Sequence, residues 1–219
     1  EEIIDPDIEI IDPHHHLWNR NGSRYLLEDF LADTDTGHNV LSTVYVECES
    51  MYNADVAPEF APVGETEFVQ GVALTSSSDG FGNCKVAEGI VGFADLRLGR
   101  AVRAVLESHI RAAPKRFKGI RHATGWHESS EIKNSHSNPK KGEMLTDLFL
   151  EGFGVLEELD LSFDAWCYHE QIPEIAQLAS IYPETVIVLD HFGGPLGIGP
   201  YEGQGDLPRR FCRFWGPAR

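Results

Sequence analysis

Three consecutive histidines, His14, His15 and His16, follow a short β-branched run, Ile8-Glu9-Ile10-Ile11-Asp12, with Pro13 between. Residues two apart on extended backbone point to the same side. His14 and His16 can therefore converge on one ion while His15 faces elsewhere. Neutral imidazole is a common nitrogen ligand for zinc and related metals. The reading is a metal or catalytic pair, with a structural role or a purification-tag remnant as the plainer alternatives. The patterned flanks, Ile-Asp-Pro before and Leu-Trp after, speak against a tag.

Other strand-like runs also end in ionisable groups. His191 closes one in Leu189-Asp190-His191-Phe192-Gly193-Gly194-Pro195, a polar pair capping a buried strand before a flexible turn. Such arrangements mark active sites in parallel α/β folds. His169, in Cys167-Tyr168-His169-Glu170-Gln171, holds the equivalent place on another run, with Tyr168 and His169 both open as the inward-facing residue. Arg121-His122 and Glu47 do the same on two more. The coincidence of five such ends is a stronger signal than any one of them. His38, His109, His127 and His136 lack this placement, and for His109 in a helical pattern and His136 in a Ser/Asn-rich loop a solvated side chain is expected.

The elements that must position these groups are six apolar runs: 8–12, 40–46, 89–96, 117–121, 161–168 and 185–189. They are nearly continuous in apolar residues, as strands of a parallel sheet covered on both faces are. Helical spacing appears over 100–113, stopped by Pro114, over 144–159, and over 172–181 with Pro173 near its start. Alternation of strand and helix implies βα units. Two long loops, 50–66 and 122–142, suit segments that roof a site. The chain reads as one domain over 1–219 with an irregular tail at 197–219, and no internal repeat.

Composition narrows the function. The 219 residues are 42% hydrophobic and carry 18 Lys+Arg against 35 Asp+Glu, a formal net charge of −17. A surface that acidic repels phosphate backbones, which argues against nucleic-acid binding. No run approaches the ~20 apolar residues of a membrane helix. The N-terminus lacks the basic and apolar stretches of a signal peptide, so the expected location is cytoplasmic. Cys48, Cys84, Cys167 and Cys212 are far apart and read as buried or inert thiols.

The stretches Asp12–Trp18, Gly92–Leu96, Lys118–His122 and Pro183–Pro195 together resemble the amidohydrolase superfamily, in order over roughly residues 8–200. The closest branch is the amidohydrolase-2 group of metal-dependent TIM-barrel hydrolases, which includes sugar lactonases and dicarboxylate lactonases. The resemblance implies an α/β fold of the (β/α)8 TIM-barrel type with its site at the C-terminal strand ends. It implies a divalent metal ion, zinc first, on His14 and His16, or a His/Asp pair activating the water where no metal binds, and gives catalytic roles to His191 and His169. Arg121 and His122 would orient a substrate carboxylate or lactone oxygen, with Glu47 and Tyr168 beside them. The implied reaction is opening of a cyclic ester by an activated water.

That group's usual base is an Asp after strand eight, and neither it nor strands seven and eight appear here. A complete barrel takes about 250 residues. The expectation is a fragment or prematurely ended version of a longer protein, truncated after about six βα units, with an Arg-rich end at 207–219 that reads as out of frame. A decarboxylase of unsaturated or aromatic acids on the same barrel is the enzymatic alternative. An inactive or partner-completed barrel is the non-catalytic one. The expected partner is a small-molecule substrate; a homo-oligomer is admitted, nucleic acid and membrane are not.

Overall fold

The computed structural model describes residues 3–20, 22–78 and 82–203. The chain divides into two compact units, residues 1–94 with 103–120, and 95–102 with 121–219. Its fold is α/β of the (β/α)8 TIM-barrel type, carrying six parallel barrel strands that alternate with helices.

In the first unit β1 spans Glu9–His15 and is followed by a small antiparallel hairpin, β2 (Trp18–Arg20) and β3 (Ser23–Tyr25). Helix α1 (Leu27–Thr34) then leads to β4 (Asn39–Val46), α2 (Val63–Ser76) to β5 (Lys85–Gly92), and α3 (Val102–Ala112) to β6 (Phe117–Arg121). β1, β4, β5 and β6 pair in parallel in that order. Tyr45, Val46, Val69, Ala73, Ile90, Val105 and Leu106 are wholly buried and form its core. Asp29 starts α1 by accepting the Leu26 N–H at 2.9 Å, satisfying a donor that the helix end leaves over.

The second unit holds α4 (Asp147–Glu158), β7 (Ser162–Ala165), α5 (Ile172–Ile181) and β8 (Ile187–Leu189). β7 and β8 pair in parallel, Phe163 opposite Ile187, Asp164 opposite Val188 and Ala165 opposite Leu189. Phe149, Phe153, Phe163, Leu96, Leu156 and Leu178 make its core. α4 lies so close to the 96–101 segment that a Cβ on Gly152 would stand 2.2 Å from the Leu96 carbonyl oxygen. Only glycine permits that approach.

The strand expected at 117–121 and the helix expected at 172–181 form at those bounds, with Pro173 in the first turn where its missing N–H costs nothing. The third run forms over Lys85–Gly92 and not over 89–96. Its latter part leaves the strand because the Asp95 side chain accepts the Arg97 N–H at 2.9 Å and caps a short 3₁₀ segment. The hairpin, α1 and α2 were not expected, and α2 begins inside the loop read at 50–66. Its buried positions are Glu65, Thr66, Val69, Val72, Ala73 and Ser76, a proper helical face on which three members are polar. A search for apolar periodicity alone passes over it.

His109 corrects a sequence expectation. It is fully buried, not solvated, because its ring has two hydrogen-bond partners. Nε2–H donates to the Phe93 carbonyl at 3.0 Å and Nδ1 accepts from the Thr66 hydroxyl at 2.8 Å, while the ring stacks on Phe117. Of the thiols, Cys84 and Cys167 are buried, Cys48 is half-buried and all three are free; Cys212 and the tail from 204 onward lie outside the described residues. Among the described residues no helix is long and apolar enough to cross a membrane.

Candidate functional site

In the first unit the HxH pair converges. Asp12 accepts the His14 N–H at 3.1 Å, bracing the turn around Pro13. His16 Nδ1 lies 2.7 Å from the Val46 carbonyl oxygen, which can only accept, so Nδ1 carries the hydrogen and Nε2 keeps its lone pair. That Nε2 stands 3.2 Å from His14 Nε2, with the rings edge to face. Two nitrogens bound to one tetrahedral zinc at ~2.05 Å would be about 3.3 Å apart. The observed spacing fits two ligands of one small cation. The backbone carbonyl on the far nitrogen is the outer support such ligands use.

His15 faces the other way. It stacks on Phe30, meets Tyr45 edge-on, and its Nε2 lies 2.9 Å from the Thr43 hydroxyl. Burial, then the neighbouring His16 and His14, push its pKa down to about 3, so the ring is neutral and part of the core.

Glu47 at the end of β4 is fully buried, and its N–H donates to the Val91 carbonyl at 2.8 Å. The loop after it is pinned from α2 by Glu65. Its Oε1 accepts from the Tyr45 hydroxyl (2.7 Å) and from the N–H groups of Cys48 (2.9 Å) and Ser50 (3.0 Å). These bonds hold a loop in which Glu49 and Met51 both have left-handed backbone, φ 60° and 54°. Desolvation drives the Glu65 carboxyl up to about 7 despite those three donors.

In the second unit Arg121, the last residue of β6, lies with Nη1 3.6 Å from Asp190 Oδ2, both side chains nearly out of reach of solvent. Asp164, on β7, is also buried. Desolvation first, then the charge of Asp190, push its carboxyl up to about 7, with Arg121 opposing. Two residues along, Trp166 meets the His191 ring edge to face at 5.0 Å. His191 and Phe192 are left-handed at φ 48° and 56°, ahead of Gly193 and Gly194. Non-glycine residues take that conformation at a cost, which makes this turn a marked position.

His169 is buried, with its Nδ1 accepting from the Leu196 N–H at 3.4 Å and its own N–H donating to the Gly194 carbonyl at 3.3 Å. Tyr168 is half-buried and its hydroxyl donates to the Lys133 carbonyl. Gln171 joins the strand-end loops, accepting from Trp126 N–H (2.9 Å) and Tyr168 N–H (3.2 Å) and donating to the Thr124 carbonyl (2.7 Å). His122 is wholly buried and accepts the Leu96 N–H at 3.2 Å. Burial drives its pKa down to about 4, so its 4.0 Å approach to Asp95 is not an ion pair. Asp95 pairs instead with Arg97 at 2.8 Å.

Within each unit the sequence-derived residues group as follows. His14 and His16 meet, Arg121 joins the residue before His191, and Tyr168 and His169 share a loop. His122 packs away against the 96–101 segment. Glu65, Asp164 and Asp190 are not among the site residues that the sequence motifs single out. Asp190 carried a signal as the partner of His191 at a strand end. Asp164 carried one too, as a lone carboxyl within the apolar Leu161–Cys167 run.

The chain carries an HxH pair at the end of its first strand and an Asp-His pair after its sixth. The chain belongs to the amidohydrolase family, whose pattern it matches over residues 11–216, within the amidohydrolase-2 group. An uncharacterised protein of Sinorhizobium fredii, y4mH, is 32% identical over 85% of this chain and 63% of its own length. The crystal structure of a Burkholderia multivorans amidohydrolase with bound HEPES shares the fold at TM-score 0.62 and 18% identity, covering 93% of this chain and 64% of that one. Another crystal form of that protein holds zinc. A probable 2-pyrone-4,6-dicarboxylic acid hydrolase of Acinetobacter baumannii, with citric acid bound, matches at TM-score 0.56 and 12% identity over 93% of this chain and 65% of its own. The chain therefore spans somewhat less than two thirds of the length of these relatives.

Proposed function

We propose that the chain is the HxH-bearing part of a metal-dependent hydrolase that opens a lactone or related cyclic ester of a carboxylate or sugar acid. The observation that carries this is the 3.2 Å separation of the His14 and His16 Nε2 atoms, with His16 held in the ligating tautomer by Val46. A divalent cation there, zinc first, would polarise an ester carbonyl and acidify a water. The remaining work falls to side chains. Arg121 presents a planar fork suited to a carboxylate, and its charge is balanced by Asp190. Trp166 and His191 supply an aromatic wall next to that anion-binding group. The Acinetobacter hydrolase, named for a cyclic ester with two carboxylates, supports this substrate class. The reading takes a small molecule as ligand, admits a homo-oligomer and places the protein in the cytoplasm, in keeping with three free thiols among the described residues.

The test pairs metal analysis of the purified chain with turnover of sugar-acid lactones and pyrone carboxylates, alongside a panel of aromatic acids scored for carbon dioxide release. One bound divalent ion, lost in both His14→Ala and His16→Ala, with ring opening of a lactone, supports the reading. Unchanged metal content in the two variants removes these histidines as ligands, and carbon dioxide release without ring opening replaces the hydrolase with a decarboxylase.

A further inference from the structure

We propose that Tyr201 is a positioning residue for His169: its ring braces the His169 imidazole, and its hydroxyl, tied to Glu170 and His127, holds that ring in place. The catalytic role of His169 rests on the hydrolase reading above; the orientation of its ring does not. All four residues belong to the second unit. Tyr201 ends a short 3₁₀ turn, Gly199–Tyr201, that follows the His191 turn. The stretch from Gly194 to Tyr201 meets His169 at three points. The Gly194 carbonyl accepts the His169 N–H at 3.3 Å, the Leu196 N–H donates to His169 Nδ1 at 3.4 Å, and the Tyr201 ring stands edge to face with the imidazole at 5.1 Å. A backbone N–H can only donate, so Nδ1 holds the lone pair and the neutral ring carries its hydrogen on Nε2. In that form Nε2 gives a hydrogen bond to an oxygen, such as a carbonyl under attack, and does not ligate a cation.

The hydroxyl end of Tyr201 is tied as firmly. Its O–H donates to Glu170 Oε1, and its oxygen accepts from His127 Nε2 at 3.3 Å. Donors and acceptors match along this chain, because the Ser129 N–H donates to His127 Nδ1 at 2.9 Å and leaves the ring hydrogen on Nε2. His127 Nε2 is 3.8 Å from Glu170 Oε2, beyond hydrogen-bond reach, so the phenol makes the connection. His127 is itself buried and set in the 122–142 loop by its N–H, which donates to Asn134 Oδ1 at 2.7 Å. Its ring also meets Tyr201 edge-on at 5.7 Å. A phenol fixed at its donor and its acceptor, with a histidine ring against it on each of two contacts, has little freedom to turn away from His169.

Imidazole ¹H–¹⁵N spectra of the full chain read this directly. They are recorded at about pH 8, where a histidine of ordinary pKa ~6.5 is neutral, with His169→Gln and His127→Gln fixing the assignments. The native protein should show His169 in the Nε2–H form. Tyr201→Phe keeps the ring and removes its tether, so the His169 resonances should shift; Tyr201→Leu removes the ring, and they should shift further. Unmoved His169 resonances in Tyr201→Phe, movement of His127 alone, or an Nδ1–H form in the native protein overturns the proposal. Where a lactone is turned over, kcat should fall in Tyr201→Phe with KM held, and in Tyr201→Leu approach the ~10²-fold loss that small misplacements of a reacting group cost. Unchanged kcat in both variants reduces Tyr201 to a structural clasp and overturns the proposal as well. A native chain that opens no lactone counts against the hydrolase reading and leaves the spectral test to decide the position of His169.

Discussion

Arg121 and Asp190 face each other across 3.6 Å, with 9% and 3% of their side chains exposed. They come from sequence positions sixty-nine apart, at the ends of β6 and β8, and each would be expensive to bury alone. The pair lies directly before the strained His191 turn, so the charge that balances Arg121 also precedes a candidate catalytic group.

Removing one partner should therefore harm more than removing both. Asp190→Leu or Arg121→Met alone removes one charge of the buried pair, with an expected loss of about 3–5 kcal/mol. The double variant should recover much of that, since an apolar pair restores neutrality. Denaturant titrations around this double-mutant cycle measure the coupling, and additive losses would mean that the two charges do not depend on each other.

The three adjacent histidines should separate cleanly by role. His15 packs on Phe30 and is held neutral, so His15→Ala should cost about 2–4 kcal/mol of stability without changing metal content. His16→Ala should do the opposite, losing metal with a smaller effect on stability, because its ring is less buried. Metal analysis and denaturation on the same preparations decide it. Loss of metal in His15→Ala at full folding would contradict the geometry.

How much of this was legible in the sequence follows from which pattern each element obeys. Strands such as Phe117–Arg121 announce themselves by continuous apolar runs, and the HxH convergence follows from strand alternation alone. Helix α2 does not, since Glu65, Thr66 and Ser76 are buried on its inner face for hydrogen bonding. The burial of His109 is invisible for the same reason: its partners Thr66 and Phe93 are forty-three and sixteen residues away. Asp164 stands out locally as a lone carboxyl inside an apolar run, but the Arg121–Asp190 pair is remote from it in sequence. Motif spacing reveals residues at strand ends; it does not reveal the polar groups that support them.

Five buried groups should set the pH dependence of stability. His15, His109 and His122 have pKa values lowered by burial to about 3, 4 and 4. Their contribution is full above the unfolded value of 6.5 and is lost as pH falls toward 4. Asp164 and Glu65 are raised to about 7, so theirs is full below the unfolded values near 4 and is lost as pH rises through 7. Below 6.5 the three histidines outnumber the two acids, and above it the acids prevail. Urea midpoints should accordingly peak near pH 6.5, and Asp164→Asn should flatten the alkaline side. A steady rise through pH 7.5 would show that the acids are ionised in the folded chain.

The turn that carries His191 depends on a close backbone approach at Gly194. Gly194 has φ 53°, and a Cβ placed on it would stand 2.2 Å from the Cys167 carbonyl oxygen. Gly142 is also left-handed, at φ 72°, but a Cβ there meets nothing within 4 Å. Alanine at Gly142 should therefore cost only the conformational penalty of about 1–2 kcal/mol. Gly194→Ala adds a clash with fixed backbone and should cost at least ~2 kcal/mol more. It should also shift the His191 ring away from Trp166, because the turn must open to admit the methyl group. Denaturation of the two variants isolates the clash, and the ring-current shift of the His191 Hε1 proton reports the displacement. Equal losses with an unmoved resonance would mean that the close approach at Gly194 does not hold the turn.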